Sequence, residues 1–84
     1  MNLRAHNLVI FAQIAEGIDD RTWEFHLRAG DYSKWFRNQI RDKDLARETA
    51  EAENDKKLSA EESRKHVLEA VRRRYTAPAT APED

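Results

Sequence analysis

The apolar residues of this chain recur at three- and four-residue spacing from one end to the other, and nowhere do they alternate as a strand requires. Leu8, Phe11, Ala12 and Ala15 set the pattern, with Val9, Ile14 and Ile18 widening the stripe. Asn7 is suited to cap the start of this first helix and Gly17 its end. Asp19 and Asp20 then precede a second helix in RTWEFHLRAG, where carboxylates favour the positive end of the backbone dipole and Gly30 marks the stop.

Asp31 follows that glycine directly and is placed to cap a third helix, YSKWFRNQIR. There Tyr32, Trp35, Phe36, Gln39 and Ile40 share a face, while Lys34, Arg37, Asn38 and Arg41 point elsewhere. Asp42 or Asp44 caps a fourth helix that has only Leu45 and alanines as apolar anchors, so its packing is expected to be light. Ser59 and Glu62 form the S-x-x-E capping box of a last helix, Ala60 to Arg74, which docks through Val67, Leu68, Val71 and Tyr75. The terminal TAPATAPED, with two prolines and no apolar anchor, reads as a disordered tail. The expected fold is all-α: a compact orthogonal bundle of four to five short helices over residues 1–75, followed by the tail 76–84.

Eighty-four residues suffice for one domain, and at that size only about 60% of the unfolded surface is buried. The core must be thin. With 37% charged residues against 39% hydrophobic, a surface groove is a more plausible site than a large cavity. Fifteen Lys and Arg oppose sixteen Asp and Glu, so net charge selects neither nucleic acid nor an anionic membrane. The absence of cysteine excludes disulfides, thiolate nucleophiles and cysteine-held metals. The longest apolar run, Leu8 to Ala12, falls far short of the roughly 20 residues of a membrane span, and the N-terminus has no signal-peptide pattern. These features read as a cytoplasmic protein that does not enter membranes.

Catalytic and cofactor chemistry lacks its usual settings. His6, His26 and His66 have no partner at metal-binding spacing on a shared helix, so no metal is expected. Asp42 and Asp44 read as helix caps rather than magnesium ligands. Ser33, Ser59 and Ser63 lack a nucleophile elbow, and two glycines thirteen residues apart make no phosphate loop. The chain is expected to be no enzyme and to need no cofactor. The basic run Arg64, Lys65, His66, Arg72, Arg73 and Arg74 could meet nucleic acid, but a solvated helix face explains it better.

The densest information lies in WEFHLRAGDYSKWF, residues 23–36, where five aromatics, His26, Arg28 and Asp31 bracket one glycine. The bland interpretation makes the aromatics core and Asp31 a cap. The sharper one makes the corner a docking or ligand pocket: His26 and Asp31 polar, Trp35 apolar, Arg28 and Arg37 cationic, with Gly30, Asp31, Tyr32, Trp35 and Phe36 as its frame. A phosphorylated small molecule held by Arg28, Arg37 and the start of the third helix is an alternative ligand.

The residues HNLVIFAQIAEGIDDRTWEFHLRAGDYSKWF, the following RNQIRDKDLA and the later SAEESRKHVLEAVRRRYTAP resemble a helical module attached to bacterial haloacid dehalogenase-like phosphatases. The resemblance covers about residues 5–78. Its most specific part is the H-x-x-x-G-D-[FY]-x-x-W pattern at His26, Gly30, Asp31, Tyr32 and Trp35, which is similar to that of small domains of uncharacterised function near carbohydrate-active enzymes. The phosphatase nucleophile belongs to a separate α/β domain that this sequence does not contain, so the resemblance implies an accessory role and not the activity. It implies a protein partner, such as a phosphatase or sugar-phosphate enzyme. Part of the Tyr32, Trp35, Phe36 and Ile40 face is also expected to be open to a second copy.

Overall fold

The structure is a computed structural model that describes residues 3–75, with side chains over 6–74. Five α-helices follow in order: α1 (Leu3–Gly17), α2 (Asp20–Ala29), α3 (Asp31–Trp35), α4 (Lys43–Asn54) and α5 (Ala60–Tyr75), with a π-helical turn, Phe36–Ile40, continuing α3. No strand occurs among the described residues. The proposed tail, 76–84, and the side chain of Tyr75 lie outside them.

The last helix organises the rest, since α1, α2 and α4 all pack on α5, while α3 and its π turn lie on α4. Val67, Ala70 and Val71 of α5 are fully buried, and Leu68 nearly so. They meet Leu8, Ala12 and Ala15 from α1, Trp23 and Leu27 from α2, Tyr32, Phe36 and Ile40 from the α3 segment, and Leu45 and Ala46 from α4 in one continuous cluster. Small alanines at the contacts let the helix axes approach, and the large side chains fill the remaining space.

Local capping explains most boundaries. Asp19 accepts from the Thr22 amide at 3.2 Å and the Thr22 hydroxyl at 2.7 Å, and these bonds hold its carboxyl below the usual aspartate value. Gly30 ends α2 in the left-handed conformation (φ 75°), its amide reaching the carbonyls of His26 and Leu27. Asp42 accepts from Leu45 N at 2.9 Å to open α4. Ser59 and Glu62 exchange bonds of 2.9 and 3.0 Å, completing the capping box of α5.

Three caps differ from expectation. Asn7 lies a full turn inside α1, because Leu3, Arg4 and Ala5 are good helix formers and the helix continues through them. Gly17 ends α1 without a positive φ. The end carbonyls go to Arg64 of α5, whose Nη1 donates to Ala15 O at 2.8 Å and Ile18 O at 2.7 Å. Asp31 does not cap α3 either: Gly30 occupies that position and offers no side chain. The required acceptor arrives from α4.

Two further departures concern packing. Gln39 is exposed: the π turn re-phases the segment, so Phe36 and Ile40 stay inward and Gln39 does not join them. Helix α4 packs firmly rather than lightly, with Leu45, Ala46, Thr49, Ala52 and Glu53 all buried. Polar residues occupy positions that the apolar count alone left empty.

Candidate functional site

The Gly30 corner divides its residues between two sides. On the α2 side, His26 Nδ1 meets Asp31 Oδ2 at 2.8 Å, with both side chains nearly half-exposed. Phe25 packs edge-on against the His26 ring at 5.1 Å and is 69% exposed. Behind them Trp23 is fully buried and stacks on Tyr32 at 4.3 Å. The Tyr32 hydroxyl donates to Trp23 O at 3.0 Å. Burial pushes the phenol up to about 12; Asp31 and Glu53 add to the effect and Arg64 opposes it. Trp23 Nε1 donates to Ser63 Oγ at 2.9 Å, and the Ser63 hydroxyl in turn donates to Ala60 O at 3.0 Å. Every polar atom of this stack is matched, as a buried aromatic pair requires.

Glu53, from the last turn of α4, is the acceptor that the start of α3 needs. Its carboxylate, 8% exposed, accepts from the Ser33 amide at 3.0 Å and the Ser33 hydroxyl at 2.6 Å. Arg28 donates to the Glu53 carbonyl at 3.3 Å and stands 3.8 Å from Glu24. An anion at the first turn of α3 would therefore displace a carboxylate already seated there, which weighs against a phosphate at this position. Arg37 lies on the π turn, exposed and away from Arg28's partners.

Trp35 belongs to the other side of the corner. It is partly buried and stacks on Phe11 of α1, ring centroids 5.6 Å apart and planes 20° off parallel. Phe11 also meets Tyr32 and Phe36 edge-on at 5.8 and 4.9 Å. Asn7, Ile10, Phe11, Ile14 and Trp35 line an open groove of about 320 Å³ between α1 and the α3 segment. Ile10 is 40% and Ile14 59% exposed. From Ala5 to Ala15 no Lys, Arg, Asp or Glu occurs, in a chain that is 37% charged. Beside His6 and Gln13, which are exposed and polar, Ile10 and Ile14 leave an uncharged apolar ridge on the outer side of α1.

The four arginines of α5 are engaged within the fold. Arg64 pairs with Asp20 at 2.7 Å and lies 5.5 Å from the Trp23 ring centroid. Arg72 pairs with Glu16, Arg73 with Glu48, and Arg74 with Asp42 and Glu48. Those guanidinium groups hold α5 to α1, α2 and α4, which weighs against a nucleic-acid face there. Lys65 and His66 are exposed. Among the described residues no three histidine or carboxylate side chains gather to hold a metal ion, and no helix is long and apolar enough to cross a membrane. No known protein family, curated protein or solved structure matches the chain.

Of the residues singled out from sequence, the fold joins His26 to Asp31 and leaves Arg28, Trp35 and Arg37 apart from that pair and from each other's partners. Glu53 and Ile10 were not among them, and Ile14, expected on the apolar stripe of α1, is exposed. Glu53 and the Ile10–Ile14 ridge each left a sequence signal. Leu45, Thr49 and Glu53 recur at four-residue spacing, which places Glu53 on the buried stripe, and the run from Ala5 to Ala15 without Lys, Arg, Asp or Glu stands out in so charged a chain.

Proposed function

We propose that this chain is a non-catalytic interaction module that docks onto a partner protein through the α1–Trp35 groove. The observation that carries the reading is the uncharged outer face of α1, where Ile10 and Ile14 stand open beside the stacked Phe11 and Trp35. The occupant is an uncharged, apolar helical surface of the partner, because a charge brought against this face would lose its hydration and find no counter-ion. The resemblance to the accessory module of haloacid dehalogenase-like phosphatases supports an enzyme of that kind, or a sugar-phosphate enzyme, as the partner, and the lack of cysteine fits a cytoplasmic setting.

Ile14→Asp tests the reading at an exposed position, so the fold is expected to survive and circular dichroism checks that it does. Native extract is passed over both proteins. A phosphatase or sugar-phosphate enzyme retained by the wild type and lost with Ile14→Asp supports the proposal. Identical retention by the two proteins overturns it. Concentration-dependent self-association that Ile14→Asp abolishes, with no enzyme retained, replaces the enzyme with a second copy of the chain.

A further inference from the structure

A second surface lies on the outer side of the α3 segment. From Tyr32 to Arg41 the sequence holds three cations, Lys34, Arg37 and Arg41, and no carboxylate. All three are exposed, and none has an ion pair or hydrogen bond from its side chain among the described residues. Arg28, Arg47, Arg64, Arg72, Arg73 and Arg74 each face a carboxylate, whereas Arg21, Lys43, Lys56, Lys57 and Lys65 are exposed like these three; what sets Lys34, Arg37 and Arg41 apart is that they share one short irregular segment. Of the two carboxylates that border the segment, Asp31 holds His26, and Asp42 is committed to the Leu45 amide and to Arg74 Nε.

The backbone beneath these cations is irregular in two ways. Phe36–Ile40 forms a π turn, a departure from the α-helix often found where a helix presents side chains for function. Arg41 then ends it at φ 63°, and it is the single non-glycine residue with positive φ among the described residues. Glycine would take that conformation without strain, as Gly30 does at the end of α2. An arginine there carries the strain of a left-handed backbone, and its side chain makes no ion pair or hydrogen bond among the described residues.

We propose that Lys34, Arg37 and Arg41 form a docking site for an acidic segment of a partner protein. Lys34 stands on α3, Arg37 in the π turn and Arg41 at its left-handed end, so the three exposed cations follow one another along a single segment about 10 Å long, the reach of two or three carboxylates on a short peptide. The arginines offer planar paired donors that match carboxylates, and the exposed Asn38 between them adds a neutral donor. A single-stranded nucleic acid fits less well. Such sites pair a longer basic track with aromatic rings open for base stacking, whereas Trp35 is stacked on Phe11 and faces the α1 groove.

Titration of the full chain with a hexaglutamate peptide, followed by amide NMR shifts, tests the site, with hexaglutamine as the neutral control and single-stranded oligothymidine as the competitor. The expected result is saturable shifts confined to residues 34–41 with hexaglutamate alone, weakening as salt rises. Arg37→Glu should weaken binding at least tenfold with unchanged circular dichroism. Arg41→Gly should weaken binding severalfold while raising the melting temperature, a combination that a purely structural role for Arg41 would not give. Absence of shifts at millimolar peptide overturns the proposal, as do equal shifts at Lys56, Lys57 and Lys65. Tighter binding of the oligonucleotide at the same residues overturns the partner class. None of these outcomes depends on Ile14, so the result stands apart from that of the groove.

Discussion

Replacing Glu53 by alanine isolates the contact that fixes α3 on α4. Glu53 is nearly inaccessible, and its carboxylate accepts two hydrogen bonds from Ser33, one from the amide at 3.0 Å and one from the hydroxyl at 2.6 Å. The hydroxyl has a fallback in Gly30 O at 3.3 Å. The amide has none, since it belongs to the first turn of α3 and no helical carbonyl lies behind it. A hydrogen bond to a charged acceptor contributes about 1.5–3 kcal/mol, and an abandoned buried donor costs about 1–3 kcal/mol. Relief from holding a carboxylate out of water offsets part of that loss. The expected cost of Glu53→Ala is therefore about 2–3 kcal/mol, with Glu53→Gln at about half, since the amide side chain keeps one acceptor and turns a donor towards the other proton.

In a domain of this size each kcal/mol lowers the melting temperature by about 4–8 °C, so Glu53→Ala should melt roughly 10–20 °C below wild type. Urea unfolding followed by tryptophan fluorescence gives the free energy directly, with the fully buried Trp23 as reporter. A double-mutant cycle with Ser33→Ala separates the hydroxyl from the amide, and a coupling of about 1 kcal/mol is expected. Stability of Glu53→Ala within about 0.5 kcal/mol of wild type would show that α3 is held by its aromatic face alone.

Three other substitutions test neighbouring steps. Thr49 is fully buried and its hydroxyl has no hydrogen-bond partner, so the near-isosteric Thr49→Val should stabilise by about 1 kcal/mol in urea, and a loss of stability would reveal an acceptor for that hydroxyl. Gly30→Ala meets nothing closer than a Glu53 side-chain oxygen at 3.9 Å, so its cost of about 1–2 kcal/mol is the left-handed backbone alone, and a thermal melt at or above wild type would contradict it. Tyr32 keeps its proton up to about 12 in the fold, whereas an unfolded tyrosine ionises near 10. Above pH about 10 the unfolded chain releases a proton that the native chain holds, so stability should fall between pH about 10 and 12. Tyr32→Phe should lose its bond to Trp23 O at neutral pH and flatten that alkaline decline; an equally steep decline in the variant would place its origin elsewhere.

What was legible in the sequence was what is local. The caps at Asp19, Asp42 and Ser59–Glu62, and the glycine stop at Gly30, each act within four residues of their partners, so composition and spacing suffice to find them. The stop at Gly17 was legible, but the bonds that complete that end, like those at the start of α3 where Asp31 was expected to cap, come from far away: from Arg64, 46–49 residues distant, and from Glu53, 20 residues from Ser33. With the first turn of α3 already supplied, Asp31 is left to hold His26 instead. The candidate site was legible as an aromatic corner but not as two sides, because the direction taken by Trp35 depends on Phe11, a residue of α1 that no pattern around residues 23–36 contains.

The same long-range contacts explain how so small a fold can present a binding surface. Glu53 ties α3 to α4, Trp23 and Ser63 tie α2 to α5, and Arg64 closes the end of α1. The α3 segment is thereby fixed from behind, with Tyr32, Phe36 and Ile40 inward, Trp35 turned to α1 and its cations outward. A partner meeting a surface already ordered loses less conformational freedom than one that must first order a loop. Trp35 and Lys34 are adjacent in sequence, about 100° apart around the helix, so one segment laid along α3 with apolar and acidic residues on neighbouring sides could engage both faces. Simultaneous loss of such a segment by Ile14→Asp and by Arg37→Glu would identify that single ligand, whereas independent losses would identify two.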